Sequence, residues 1–301
     1  MPAVSQPGWT RRQFFRGGLA WAAGALLPSP IWADESLAAP SAPESDCTRL
    51  ALLSDTHIAA DPENRYRGFY PYRNLVEVAG QIACDLPDRL VITGDLARLR
   101  GQSQAYQNLK ALLAPLATHR PIHLGLGNHD DRGHFFHTFG EALDDDLALA
   151  DKHVLTALAG PVRLIVLDTL RNVNALTGQL GELQQTWLEA VLEACDETPT
   201  ILFLHHTPNG ELVDRRRLFE IIKPVAKIKA VVYGHSHKYG YSEFAGIHLI
   251  NLPATGYNLS GGQPIGWVEA RLTRQAGQFA LHAIGGDREL DGHTATLTWR
   301  T

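Results

Sequence analysis

Apolar residues along this chain fall into short unbroken runs that stop at a glycine or a polar residue, and the runs alternate with stretches of helical period. Residues 49–53, 89–93, 121–126, 162–167, 200–204 and 230–233 have the length and composition of buried strands. Between them, Leu75, Val78 and Ile82, and then Leu109, Leu112, Leu113 and Leu116, recur at the spacing of one helical face. Residues 180–195 form a third amphipathic stretch. Shorter helices are predicted over 134–139 and 218–222, the second ended by Lys223-Pro224 because a residue before proline is driven out of the helical region. From residue 247 on, four short strands (247–251, 267–272, 279–283 and 294–299) are separated by turns rich in glycine and proline. Strands that alternate with helices, followed by hairpin-like strands, predict an α/β chain with an antiparallel portion. A two-sheet β-sandwich flanked by helices accommodates this pattern better than one doubly wound sheet. There is no internal repeat, and a site is expected where the strand ends converge.

Composition narrows the partners. The 301 residues, 45% of them hydrophobic, can bury a sizeable core. A net charge of -5 speaks against a general nucleic-acid binder, and no nucleic-acid partner is expected. The N-terminus has a different character. Thr10-Arg11-Arg12-Gln13-Phe14-Phe15-Arg16 resembles a twin-arginine export signal, and residues 17–27 form a mildly apolar segment of the length found in such signals. That segment is shorter than the roughly 20 residues a spanning helix needs, so no stable membrane span is expected in the mature chain. A soluble amphipathic helix and an uncleaved anchor are the competing readings. The expected division is a signal peptide over 1–38, a linker rich in Ala, Pro and Ser over 39–46, and one folded domain over 47–301. The resemblance implies partnership with the twin-arginine export machinery and a periplasmic or otherwise exported location, reached already folded. Cys47, Cys84 and Cys195 have no paired spacing, and an odd count leaves either free, buried thiols or a single bridge.

The strand ends carry the candidate chemistry, as loops on a rigid scaffold commonly do. The runs stop at Asp55-Thr56-His57, Gly94-Asp95, Gly127-Asn128-His129-Asp130, His205-His206 and Gly234-His235-Ser236-His237. Taken singly these are weak signals: Asp-x-His also caps turns, and Gly-Asp is a common loop dipeptide. Together they concentrate side chains that bind metals of mixed nitrogen and oxygen preference, which admits Fe, Mn, Zn or Co. Two ions need about eight protein ligands besides open positions for water and substrate. Asp55, His57, Asp95, Asn128, His205, His235 and His237 supply seven residues, and the count closes if the two oxygens of Asp95 bridge both ions. The x-spaced pairs would place both members on one face of an extended segment.

In this order the motifs resemble those of the calcineurin-like metallophosphoesterases, over about residues 50–257. Ser54-Asp55-Thr56-His57, residues 90–96, Gly127-Asn128-His129-Asp130-Asp131-Arg132, residues 204–208 and Gln184-Gln185-Thr186-Trp187-Leu188 are similar to the branch that holds the class III cyclic-nucleotide phosphodiesterases. The resemblance implies a four-layer α/β/β/α fold and two divalent or trivalent metal ions. It implies Asp55, His57 and His237 on one ion, Asn128, His205 and His235 on the other, and Asp95 on both. A hydroxide between the ions would attack phosphorus in line in a small-molecule phosphate ester. His129 is then not a ligand; it touches the phosphate or protonates the leaving oxygen.

Two departures from the branch leave that set intact. Thr207 stands where the branch commonly has proline, and Leu96-Ala97-Arg98-Leu99-Arg100 lacks the acidic residue many relatives carry there. Both loosen the tie to cyclic nucleotides in particular. The expectation is an exported two-metal phosphoesterase that prefers phosphodiesters, with a phosphomonoesterase and a non-catalytic scaffold as rivals. Arg67, Tyr70, Tyr72 and Arg73 are expected at the site mouth, with Tyr233, Tyr239, Tyr241, His206, Tyr257 and Asn258 as further candidates. Asp144-Asp145-Asp146 reads as a solvated turn.

Overall fold

Alternate residues of the first apolar run face two different cores: Ala51 and Leu53 pack under helices, while Leu50 and Leu52 pack against a second sheet. This holds in a computed structural model that describes residues 46–140, 149 and 152–301. Burial on both faces is why the run is apolar throughout rather than alternating. The run is β1 (Thr48–Leu53), followed by α1 (Pro71–Cys84), β2 (Arg89–Ile92), α2 (Ser103–Ala117), β3 (Ile122–Leu124) and α3 (Arg132–Phe139). The middle of the chain runs β4 (Leu155–Ala159), β5 (Val162–Val166), α4 (Glu182–Ala194), β6 (Thr200–Phe203), α5 (Arg215–Ile222) and β7 (Ile228–Tyr233). The last strands are β8 (Gly240–Phe244), β9 (Ile247–Asn251), β10 (Pro264–Leu272), β11 (Ala276–Gly286) and β12 (Thr294–Thr298).

Two six-stranded sheets result, ordered β12-β11-β10-β1-β2-β3 and β4-β5-β6-β7-β9-β8. β1, β2 and β3 are parallel, as are β5, β6, β7 and β9, and the remaining pairings are antiparallel. Leu50, Leu52 and Val268 of one sheet meet Leu164, Val166 and Phe203 of the other in a central core. The outer face of the first sheet is covered by α1, α2 and α3 through Leu75, Leu109 and Phe135. The outer face of the second is covered by α4 and α5 through Leu188 and Leu218. These are the four layers, α/β/β/α, of the expected two-sheet architecture.

The sequence pattern misses two strands for a physical reason. β8 is an edge strand with no buried residue, and β4 is an edge strand with two buried residues. Neither therefore shows an apolar run. α1 begins at Pro71, a residue suited to the first helical position, so Tyr72 and Arg73 lie in its first turn rather than in a loop. No disulfide joins the three cysteines; Cys47 and Cys84 are exposed and Cys195 half-buried, so none is a buried thiol. Among the described residues no helix is long and apolar enough to cross a membrane. The twin-arginine motif and Asp144-Asp145-Asp146 lie outside the described residues.

Candidate metal centre

The loops that leave the parallel strands turn through left-handed residues. Asp55 and His57 have φ of 53° and 46°, Asp95 49°, and His235 and His237 65° and 52°. The x-spaced pairs therefore do not lie on one face of an extended segment, as their spacing alone predicts; turns, not a pleat, bring each pair inward. Such a backbone costs on the order of 1–3 kcal/mol per non-glycine residue and persists only where its surroundings hold it. Here the loops hold one another. Asp55 N–H donates to Gly94 C=O at 3.0 Å, His57 N–H to Asp95 C=O at 2.9 Å, and Gly234 N–H to His205 C=O at 3.1 Å. Two glycines permit this approach: a Cβ on Gly127 would lie 2.2 Å from Asp95 Oδ1, and one on Gly234 1.8 Å from Ser54 Oγ.

The two central carboxylates are divided alike. Asp55 Oδ2 accepts the His235 N–H at 3.0 Å and the Ser54 hydroxyl. Its Oδ1 faces His237 Nε2 at 3.2 Å, His57 Nε2 at 3.7 Å and His205 Nε2 at 3.9 Å. Asp95 Oδ1 accepts the His129 N–H at 2.8 Å. Its Oδ2 faces His205 Nε2 at 3.3 Å, His57 Nε2 at 3.7 Å and His129 Nε2 at 4.0 Å. One oxygen of Asp95, not two, is thus turned toward the imidazoles on both sides.

Asp55, His57 and His237 present ligand atoms within 4.8 Å of one another, as do Asp95, His205 and His235, and as do His57, Asp95 and His129. Asn128 is buried, and its Oδ1 has no hydrogen-bond partner. His237 Nδ1 donates to Tyr257 C=O at 2.6 Å, which leaves Nε2 bare in the neutral ring, the arrangement that commonly orients a metal-bound histidine. That Nε2 lies 3.1 Å from His57 Nε2, so two ring nitrogens and a carboxylate oxygen converge where only a proton or a cation relieves their repulsion. The donor set of carboxylate, amide oxygen and imidazole fits first-row ions.

Charge bookkeeping points the same way. Burial lowers His57 to about 3 against the opposing pull of Asp95. Burial also acts on His205, but Asp95 and Asp55 outweigh it and raise that ring to about 9. Burial would raise Asp55 and Asp95, yet the neighbouring histidines, His237 and His205 for Asp55 and His205 foremost for Asp95, hold both below the usual carboxylate range. The two carboxylates thus favour positive charge on the rings that face them, raising His205 and, against burial, His237 as well.

The sequence profile of the calcineurin-like phosphoesterases matches residues 48–239. The chain belongs to this family. A probable cyclic nucleotide phosphodiesterase of Rhodococcus erythropolis is 31% identical to it over 221 residues, 69% of this chain and 71% of that protein. The glycerophosphodiester phosphodiesterase GpdQ of Enterobacter lignolyticus is 26% identical over 218 residues, 68% of this chain and 77% of that one. Among solved structures, a dimetal phosphatase from Danio rerio shares the fold with a TM-score of 0.64 at 17% identity, covering 84% of this chain and 99% of that one. As a member of the family, the chain is a metal-dependent hydrolase of phosphate esters.

The phosphoesterase site is braced by residues to which the motifs assign no role. Asp130 accepts the N–H groups of Gly127, Leu96 and Ala97 and the Tyr106 hydroxyl at 2.8–3.1 Å, tying the loop after β2 to the loop after β3. Burial, with Asp95 nearby, pushes its pKa up to about 6. Arg132 forks onto buried Asp168 at 2.7 and 2.8 Å, and Gln184 closes on the Asp168 backbone at 2.8 Å from both sides. His206 backs His235 with ring centroids 4.7 Å apart and shares a 2.8 Å hydrogen bond through Nδ1 with Thr169. Burial lowers that ring to about 2.

Of the proposed mouth residues, Tyr257 stacks on His57 at 4.6 Å; Tyr66, not among those expected, packs edge-on against Tyr257 at 4.7 Å. Arg67 and Asn258 line a cavity of about 390 Å³. Arg73 instead pairs with Glu63 and covers the Tyr70 ring, and both ion-pair partners are exposed. Tyr239 and Tyr241 bond to each other at 2.7 Å beside the central core, and Tyr233 belongs to the outer core.

Two outcomes are expected. Gly127→Ala should fold, by circular dichroism, yet bind metal roughly 10–100-fold more weakly, the equivalent of the 1–3 kcal/mol of an overpacked contact; unchanged affinity would show that the loops tolerate separation. Asp95 and Asp55 outweigh burial and raise His205 to about 9, whereas a ligating imidazole must be neutral. Metal uptake at pH 7 should therefore release a proton, and affinity should rise with pH until that ring is deprotonated. Titration calorimetry in buffers of different ionisation enthalpy measures this directly, and a heat independent of the buffer would contradict it.

Proposed function

We propose that this chain is an exported two-metal phosphodiesterase. The observation that carries the reading is the pair of clusters Asp55–His57–His237 and Asp95–His205–His235, with one oxygen of Asp95 facing His57 of the first and His205 of the second. Asp55, His57 and His237 would hold one ion, Asn128, His205 and His235 the other, and Asp95 both. When bound, such ions supply an ionised water as nucleophile near neutral pH and offset charge that builds on the phosphoryl oxygens. That compensation lets a protein of net charge -5 accept an anionic ester.

The chain's own residues supply the rest. Asp55 and Asp95 each spend one oxygen on backbone N–H donors, which fixes the orientation of the other. His129, with its side chain 25% exposed against 10% for His235, is the most accessible of the eight residues. It would hydrogen-bond a phosphoryl oxygen or give its proton to the leaving oxygen. A preference for diesters is supported by relatives named as phosphodiesterases of cyclic nucleotides and of glycerophosphodiesters. Export is supported by the Arg11-Arg12 motif and the apolar segment after it.

The purified chain should carry two ions and turn over bis(p-nitrophenyl) phosphate with a higher kcat/KM than p-nitrophenyl phosphate. A reversed preference would make it a monoesterase, and no metal and no turnover with added Mn, Zn, Fe or Co would make it a scaffold. Asp95→Ala should abolish binding of both ions. His129→Ala should keep both and lose about a hundredfold or more in kcat on methyl phenyl phosphate, in line with loss of an acid–base group; undiminished turnover would remove His129 from the chemistry. Replacing Arg11 and Arg12 together by lysine should strand the protein in the cytoplasm, and continued arrival in the periplasm would end the export reading.

A further inference from the structure

His129 is held from behind by two oxygens that no sequence motif marks. Its Nδ1 lies 2.9 Å from the Leu99 carbonyl and 2.8 Å from Asn174 Oδ1. A backbone carbonyl accepts and never donates, so the Leu99 contact requires a proton on Nδ1. That proton in turn settles the Asn174 amide, which must present its oxygen rather than its nitrogen to the ring. Asn174 grips the same loop a second time, through its N–H to Asn128 C=O at 2.6 Å. Both supporting residues are left-handed, Leu99 at φ 63° and Asn174 at φ 64°. Non-glycine backbone of this kind is retained where surroundings demand it, and seven such residues lie around this one centre: Asp55, His57, Asp95, Leu99, Asn174, His235 and His237.

We propose that Asn174 is a positioning residue for the hydrolysis: with the Leu99 carbonyl it keeps the proton on His129 Nδ1 and so reserves Nε2 for proton exchange with the substrate. The inference rests on His129 acting in the reaction, and it adds which nitrogen acts and what holds it there. Nε2 points at the centre, 4.0 Å from Asp95 Oδ2. Behind the ring stands a neutral amide and a carbonyl rather than a carboxylate, so the support is dipolar and directional. When Nε2 gives up a proton, Nδ1 keeps its own, held by the two oxygens behind it. The water-derived oxygen forms its bond to phosphorus as the ester P–O bond breaks. The electron pair of that bond goes to the leaving oxygen, which takes the Nε2 proton. The ring is left neutral with its proton still on Nδ1, and solvent restores the second proton before the next turnover.

Asn174→Gly tests this, because glycine accepts the left-handed backbone while removing the side-chain oxygen. Asn174→Asp restores an oxygen on a residue that also tolerates this conformation. The readouts are metal content, kcat and KM on two diesters, methyl p-nitrophenyl phosphate and methyl phenyl phosphate, and the hydrogen-bonded Nδ1 proton of His129 by NMR of the zinc-loaded protein. Asn174→Gly should keep its metal and KM. It should lose about 10–100-fold in kcat on the phenyl ester, whose leaving oxygen needs a proton, and less than about threefold on the p-nitrophenyl ester. Asn174→Asp should recover the phenyl-ester rate, and the downfield Nδ1 resonance should be lost in the glycine variant and return in the aspartate variant. Equal losses on both esters, no loss on either, or an Nδ1 resonance unchanged by Asn174→Gly would overturn the proposal. If the wild type cleaves neither ester, the functional reading fails, and the NMR comparison still decides whether Asn174 holds the ring.

Discussion

Two carboxylates that repel each other, Asp55 and Asp95, are buried among the same imidazoles, and the surrounding structure answers to that constraint. An ionised carboxylate loses several kcal/mol of hydration on burial unless partners replace the water. Each of the two is satisfied on one oxygen by backbone N–H groups and left open on the other toward histidine nitrogens. The open oxygens must lie within a few ångströms of rings from three other loops. That proximity explains both the left-handed residues and the glycines at the crossing points.

A second pair of buried carboxylates shows the contrast between bracing and chemistry. Asp130 and Asp168 each have both oxygens engaged by donors, Asp130 by three N–H groups and a tyrosine hydroxyl, Asp168 by Arg132 and the N–H groups of His153 and Leu170. Saturated in this way they bind nothing further and lock the loops after β2, β3 and β5. Asp55 and Asp95 differ in keeping one oxygen bare. All four are aspartates near apolar strand ends, and the number of donors that tertiary structure brings to each is what separates their roles.

The fold makes the loop convergence possible because the parallel strands of both sheets release their loops toward one another. Cross-sheet bonds such as Thr255 N–H to Ser54 C=O and Gly256 N–H to Asp55 C=O, both 2.9 Å, fasten the two halves beside the centre. His129 stands slightly apart. It is partly exposed, held at its back by oxygen atoms, and free on the side that faces Asp95. Asn128 and His129 are thus neighbours in one loop whose backbones are braced by different partners, Asn174 at Asn128 C=O and Asp95 at the His129 N–H.

By itself the sequence determined the α/β class and the two-sheet sandwich, because burial on both strand faces leaves continuous apolar runs, and it singled out the polar motifs at the ends of those runs that the structure brings close together. It did not determine the edge strands β4 and β8, whose exposure erases the apolar signal. Nor did it determine how the pairs converge: Asp-x-His and His-x-His suggest an extended strand, while the backbone at all four residues is left-handed. That conformation is imposed by hydrogen bonds to other loops, which local spacing does not encode. Only tertiary structure assigned Arg132 to Asp168, Tyr66 to Tyr257 and Asn174 to His129. Asn174 lies 45 residues from the ring it supports, in a polar loop without period, and a contact of that range becomes visible only once the chain has closed on itself.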